Sequence, residues 1–175
     1  MDLEEATAQP QENALAQPVD WNAVYSEQLP RIYNFLRFRV GRRGDAEELT
    51  SRTFEKAWNA RDRYRRDVAG FSTWLIGIAR NVATDHLRSA RNHLSLDAAI
   101  NSSDGITAED EVARISDIER LVTLTSTLED REAELIALKY GAELNNRAIA
   151  RLIGLSESNV GTLLHRLVEK LRASW

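Results

Sequence analysis

Apolar residues recur at three- and four-residue intervals through most of the chain, and nowhere do they alternate over a strand-length run. That periodicity predicts helices and no strands, hence an all-α protein. Asp20 is placed to cap a first helix through Trp21, Val24 and Tyr25. Pro30 suits the first turn of a second helical run. That run puts Ile32, Phe35, Leu36 and Val40 on one face and Arg31, Arg37 and Arg39 around the rest, and it ends at Gly41 and Gly44. Asp45-Ala-Glu-Glu48 reads as a capping box, with Asp45 the cap. The helix it opens carries Leu49, Phe54, Ala57 and Trp58, and its acidic first turn suits the helix dipole. Ser72 is placed to cap a helix over residues 73–90. Trp74, Leu75, Ile78, Ala79, Val82 and Leu87 face inward there, while Asn81, Asp85 and Arg88 share the outer face.

Periodicity fades over residues 92–116, which collect Asn, Ser, Asp and Gly and read as a linker. Ser116-Asp-Ile-Glu119 is a second capping box, opening a helix with Leu121, Val122 and Leu124. Another helix begins near Leu128 and uses Leu135, Ile136 and Leu138 as its apolar side. Asn145-Asn146 turn the chain into a helix-turn-helix: Ala150, then Gly154 four residues on, then Val160 six after that. Ala150 lets a second helix pack close, and Gly154 can take the positive φ of a tight interhelical turn. Ser156 is the N-cap of the second helix. Val160, Leu164, Leu167, Val168 and Leu171 form its apolar stripe, opposite Ser158, Asn159, Thr162 and Arg166. The expected map is a disordered tail over 1–19, a helical domain over 20–91, a flexible acidic linker over 92–116 and a second helical domain over 117–175. The two domains are expected to fold separately.

Charge sharpens this map. The net charge is −4, but it is unevenly spread. Residues 1–28 carry six acids and no base, and residues 92–138 carry eleven acids against three bases. Residues 29–60 have a net charge of +3, residues 61–91 of +4 and residues 139–175 of +3. Two basic modules flank an acidic segment, a pattern that fits localised nucleic-acid contact and equally fits a solvated linker. There is no cysteine, so disulfides and thiolate zinc sites are excluded. His86, His93 and His165 lack metal-ligand spacing, and no cofactor or catalytic constellation is expected. No run of about 18 apolar residues, the length a membrane span needs, is present.

Two stretches carry candidate chemistry. The polar face of the last helix can reach base edges and phosphates from a major groove; it can also be the wet side of an ordinary helical hairpin. The segment Arg61-Asp-Arg-Tyr-Arg-Arg-Asp-Val-Ala-Gly-Phe71 interleaves arginines with an aromatic ring. It suits a cradle for a single strand, and it also suits a plain charged surface loop. A two-domain regulator sensing a ligand through its N-terminal half and a purely helical interaction adaptor remain rival functions.

The motifs also carry a resemblance. Asp45-Ala-Glu-Glu-Leu49 through Phe54 to Ala57-Trp58, then Phe71-Ser-Thr-Trp-Leu75, Ile78-Ala-Arg-Asn81 and Asp85-His-Leu-Arg88, resemble the second domain of bacterial RNA polymerase sigma factors, of the extracytoplasmic-function (ECF) subfamily. Leu128-Glu-Asp-Arg131, Ile149-Ala150, Ile153-Gly-Leu-Ser156 and Leu164-His-Arg166 resemble the fourth domain. The resemblance implies a non-enzymatic, cytoplasmic factor that takes core RNA polymerase to promoters and helps to melt them. It implies polymerase contacts at the β′ clamp helices through Asp45, Glu47, Glu48 and Leu49, with Phe54 and Trp58 mainly core, and a further contact at the β flap. It implies −10 recognition through Arg61, Arg63, Tyr64, Arg65, Arg66, Asn81, Asp85 and Arg88. It implies −35 recognition through Arg147, Ser156, Ser158, Asn159, Thr162, His165 and Arg166, and control by an anti-sigma factor. The chain departs from the family at Gly161 and Leu163, where Lys and Arg are frequent, and at Arg52 and Thr53, where acidic and aliphatic residues are more usual. Fewer cations in the last helix mean a weaker phosphate contribution to −35 binding.

Overall fold

The structure is a computed structural model and describes residues 20–65, 68–94 and 112–174. Among the described residues there are helices and no strands. The order is α1 (Trp21–Val40), α2 (Arg43–Asn59), a 3₁₀ turn (Arg61–Arg63), α3 (Phe71–Leu94), α4 (Val112–Ser126), α5 (Asp130–Ile136), a π-helical turn (Ala137–Gly141), α6 (Asn146–Ile153) and α7 (Glu157–Ala173). The expected tail over 1–19 lies outside the described residues. So does most of the expected linker: α3 runs on to Leu94 and α4 already starts at Val112.

α1 organises the fold, and it differs from expectation. Asp20 does cap it, its carboxylate accepting from the backbone N–H of Asn22 at 3.0 Å and of Ala23 at 3.2 Å. Pro30, however, lies inside one unbroken helix and starts no second one. A proline there removes a backbone hydrogen bond and crowds the preceding turn, at a cost of about 3 kcal/mol. Packing on both sides of it offsets that. The N-terminal half sets Trp21 edge-on to Trp58 and Phe71, and Tyr25 against Phe54. The C-terminal half buries Ile32, Phe35 and Leu36 completely. Gly41 closes the helix at φ 79°, a conformation that suits glycine.

α2 and α3 form a hairpin against α1. α2 buries Ala46, Leu49, Thr50, Thr53 and Ala57, a helical stripe. The two threonine hydroxyls donate back to Ala46 O and Leu49 O, which satisfies them in the core. Asp45 is not the cap: α2 starts at Arg43, behind an extended Arg42 whose side chain makes no capping bond. Asp45 falls in the first turn, where a carboxylate still favours the helix dipole, and Gly44 is inside the helix rather than ending α1. Ser72 likewise sits within α3, its hydroxyl accepting from Arg31. Ser116 is within α4.

The C-terminal domain is the helix-turn-helix the spacing predicts. Asn145 caps α6 by accepting from Ala148 N at 2.9 Å, and Ser156 caps α7 by accepting from Asn159 N at 3.2 Å. Gly154 is left-handed at φ 70°, and Leu155 N–H then returns to Ala150 O. Ile149 and Val160 are fully buried at the helix crossing. The two domains do not stand apart. Ile32, Phe35 and Leu36 of α1 belong to one continuous core with Leu138, Leu144, Ile149 and Val160. Arg37 and Arg39, expected on an outer face, are buried against the C-terminal domain, paired with Glu119 and Asp130.

Candidate nucleic-acid interface

Capping and turn chemistry hold α7 with one side in the core and the other free. Val160, Leu164 and Leu167 are buried, and Ser158, Asn159, Thr162, His165 and Arg166 are all exposed. Those five positions follow helical spacing and form one continuous polar face. One of its members is partly engaged, the Thr162 hydroxyl donating to Ser158 O at 3.1 Å, and Ser156, also expected at this surface, is spent on the cap. Arg147 on α6 is exposed but pairs with Glu157 at 3.3 Å. Asn159, His165 and Arg166 are left with free side-chain donors. The missing cations also find a reason. Leu163 packs against the core, and a Cβ on Gly161 would meet the Asn146 side chain at 3.5 Å, so both positions lean towards the protein.

The loop between α2 and α3 is built differently. Tyr64 is drawn into an aromatic cluster, with its ring 5.2 Å from Phe71 and 5.1 Å from Trp74. Its hydroxyl donates to Ala69 O at 3.2 Å, so the ring fastens the loop instead of offering a free stacking face. Arg61 lies 4.5 Å over the Trp58 ring and donates to Trp58 O, which holds the 3₁₀ turn. Arg63 and Arg65 are exposed, and Arg66 lies outside the described residues. Trp58, expected as core, is 49% exposed, and Val68 is 66% exposed. These two are the apolar groups the loop presents to solvent, and the sequence pattern concealed both. Trp58 falls on the apolar stripe of α2, and Val68 is a lone aliphatic among charges.

Asn81, Asp85 and Arg88 are exposed along one side of α3, as their spacing predicts. At a rise of about 1.5 Å per residue, they lie roughly 15 to 26 Å from the start of α3 at the loop. The acidic end of α2 is at the far end of the hairpin from the loop. There His86 of α3 approaches Asp45 at 3.5 Å. Glu47 pairs with Arg43, and Glu48 is exposed. Leu49 is 1% exposed and belongs to the core, so it supports this surface from beneath and offers a partner nothing. Among the described residues no group of His, Asp or Glu could hold a metal ion. Likewise no described helix is long and apolar enough to cross a membrane.

Comparison with known proteins agrees with this geometry. Residues 24–93 match the family model of Sigma-70 region 2, and residues 118–171 match that of Sigma-70 region 4. The chain is 28% identical over 151 residues to the ECF RNA polymerase sigma factor BldN of Streptomyces coelicolor, covering 85% of this chain and 57% of that protein. It is 26% identical to the ECF sigma factor SigM of Bacillus subtilis, covering 86% of this chain and 91% of the relative. Its fold resembles that of the sigma factor RpoE in complex with the anti-sigma factor NepR from Bartonella quintana, with a TM-score of 0.74 at 19% identity, over 88% of this chain and 95% of that one. Two family regions in their expected order, on the two helical units found in the fold, decide the assignment. The chain belongs to the sigma-70 family as an ECF sigma factor, a non-catalytic protein that directs transcription initiation by RNA polymerase.

Proposed function

We propose that this protein works in the cytoplasm, binds core RNA polymerase and reads a −35 element with α7 and a −10 element with the loop and outer face of α3. Within polymerase, Asp45, Glu47 and Glu48 meet the β′ clamp helices, and region 4 meets the β flap. The observation that carries this reading is α7 itself. Its inner side is locked by Val160, Leu164 and Leu167, and its outer side presents Ser158, Asn159, Thr162, His165 and Arg166, over which none of the described residues packs. A helix held that firmly with a polar outer face suits a major groove.

The loop suits unpaired DNA. Its shape is set by Tyr64, Phe71 and Trp74, while Arg63, Arg65, Trp58 and Val68 face solvent. Extruding a base from a duplex costs a few kcal/mol, and stacking returns about 1–3 kcal/mol per base. The loop alone therefore barely breaks even, and polymerase must supply the remaining free energy for melting. The likeness to a sigma factor solved with an anti-sigma factor supports control by such a partner here. Run-off transcription tests the reading: core polymerase plus this protein should start at a specific promoter, and core alone should not. Absence of specific initiation on any promoter upstream of the genes it controls would overturn it.

A further inference from the structure

The loop between α2 and α3 lacks a free stacking ring of its own. Tyr64, the ring its sequence offers for that task, is turned into the cluster of Phe71 and Trp74 and bonded to Ala69 O. A cationic loop without a ring can pair with phosphates but gains little from a base, because stacking carries much of the affinity for an unpaired strand. The ring is supplied next door. Trp58, in the last turn of α2, is 49% exposed.

A single exposed apolar side chain is ordinary on a protein surface, and three features set Trp58 apart. Its orientation is fixed, because the helix holds its backbone and Trp21 meets its ring edge-on at 5.4 Å and 80°. Its face already accepts a flat partner: the Arg61 guanidinium lies 4.5 Å over the ring. That partner is lightly held in the free protein. Arg61 donates to Trp58 O at 2.8 Å, and the acid beside it, Asp62, is exposed and 4.0 Å away. Exposed cation–π contacts and long surface pairs are both weak. Tyr25 makes the contrast. It is 47% exposed, but its ring is tilted onto Phe54 at 4.6 Å, and among the described residues no cation stands over it.

We propose that Trp58 is the stacking platform for one unpaired base of the open −10 strand, and that Arg61 is its removable cover. As the base arrives, the guanidinium leaves the ring and pairs with a neighbouring phosphate, a full negative charge in place of a ring face and a carbonyl. An indole stacks on any base. Trp58 therefore supplies affinity for the open strand, and the choice of base is left to polar groups such as Asn81. This rests on the −10 reading proposed above, and it gives a task to a ring whose helical spacing predicts a core position.

The test uses holoenzyme and a pre-melted probe carrying the −10 sequence of a promoter from which it initiates. An abasic nucleotide is placed at each position of the open strand in turn. Trp58→Leu keeps an apolar side chain without a π face. It should weaken binding of the intact probe about tenfold and leave binding of the probe that lacks the stacked base unchanged, so that protein and DNA changes couple at one position only. Tyr25→Ala should couple at none. Arg61→Ala should lower the salt slope by about 1. Crosslinking of the unaltered protein to iodouracil, moved along the same strand, needs no folded variant and should map to Trp58 at the coupled position. Equal weakening of every abasic probe by Trp58→Leu overturns the platform, as do crosslinks that map to Tyr64 instead. Weaker binding of Trp58→Leu to core polymerase without DNA, and no coupling, overturns it in favour of a polymerase contact. An unchanged salt slope in Arg61→Ala overturns the exchange of cover for phosphate. Failure of the −10 reading itself looks different: the unaltered holoenzyme would then show no base preference at any position of the pre-melted probe.

Discussion

The two surfaces proposed to bind DNA are built on opposite plans. In region 4 the scaffold and the reading groups are separate: Ser156 and Gly154 set the helix, and Asn159, His165 and Arg166 are left free. In the region 2 loop the same side chains are shared between the two tasks. Tyr64 and Arg61 are consumed in holding the loop, leaving Arg63, Arg65, Trp58 and Val68 exposed. On the proposed reading the difference has a reason: a duplex has a fixed groove that a rigid helix can meet, whereas an unpaired strand has no fixed shape, and the aromatic packing of the loop would hold one for it.

Ile149→Ala should break the comparison most severely. Ile149 is fully buried at the α6–α7 crossing, and truncating a residue of that kind costs about 2–5 kcal/mol. Urea denaturation should show a loss in that range. Use of the −35 element should collapse, while binding of single-stranded −10 DNA by the holoenzyme persists. Equal loss at both elements would mean that the two surfaces are not independent.

Tyr64 sharpens the comparison. Its aromatic contacts are worth about 0.5–1.5 kcal/mol each beyond area burial, so Tyr64→Ala should cost about 2 kcal/mol of stability. Tyr64→Phe should cost about 1 kcal/mol, the value of one hydrogen bond. Thermal melts beside binding to a pre-melted −10 probe separate the roles. If Tyr64→Ala weakens the probe without lowering the melting temperature, the ring stacks on a base and the structural role is wrong.

Asn159 and Arg166 should differ in kind. Asn159→Ala should cost about 1–3 kcal/mol at one base position. Arg166→Ala should weaken all promoters alike and reduce the salt slope by about 1. Transcription from promoters altered base by base across −35, repeated at two salt concentrations, reads both. Unchanged transcription in both variants would count against a groove-reading helix.

Much of region 4 was legible because its signals are local. A cap at Ser156, a left-handed Gly154 and a buried Val160 all fall within a few residues of one another. The helical face of Asn81, Asp85 and Arg88 was legible for the same reason. The expected caps Asp45, Ser72 and Ser116 failed locally, each helix starting ahead of them, whereas the other misreadings turn on contacts distant in sequence. Arg37 and Arg39 look like surface arginines until α4 and α5 arrive with Glu119 and Asp130. Pro30 looks like a helix start until the aromatic contacts of Trp21 and Tyr25 are known. Leu49 and Trp58 sit on the same helix and nearly the same stripe, and only the packing of α1 and α3 decides that the first is sealed and the second half open.

The smallest expected effect concerns the start of α5. The hydrogen bond from Lys170 holds the Glu132 carboxyl below its usual value of 4.5, aided by the backbone N–H of Glu129, with partial burial opposing them. A carboxylate depressed on folding contributes stability above its unfolded pKa and loses it as pH falls through the folded value. This pair is partly exposed, so it is worth a few tenths of a kcal/mol. Lys170→Ala should therefore lower stability slightly at neutral pH and leave it unchanged well below pH 4.5. Urea midpoints at the two pH values check it.

The most direct test of the division between the two surfaces compares duplex, pre-melted and single-stranded −10 probes, each offered to the free protein and to the protein bound to core polymerase. The free protein should bind the duplex weakly. The holoenzyme should bind open −10 DNA strongly and base-selectively, with selectivity lost on Asn81→Ala. Duplex binding by the free protein as tight as that of the holoenzyme would contradict this expectation, and so would base selectivity on the pre-melted probe that Asn81→Ala leaves untouched.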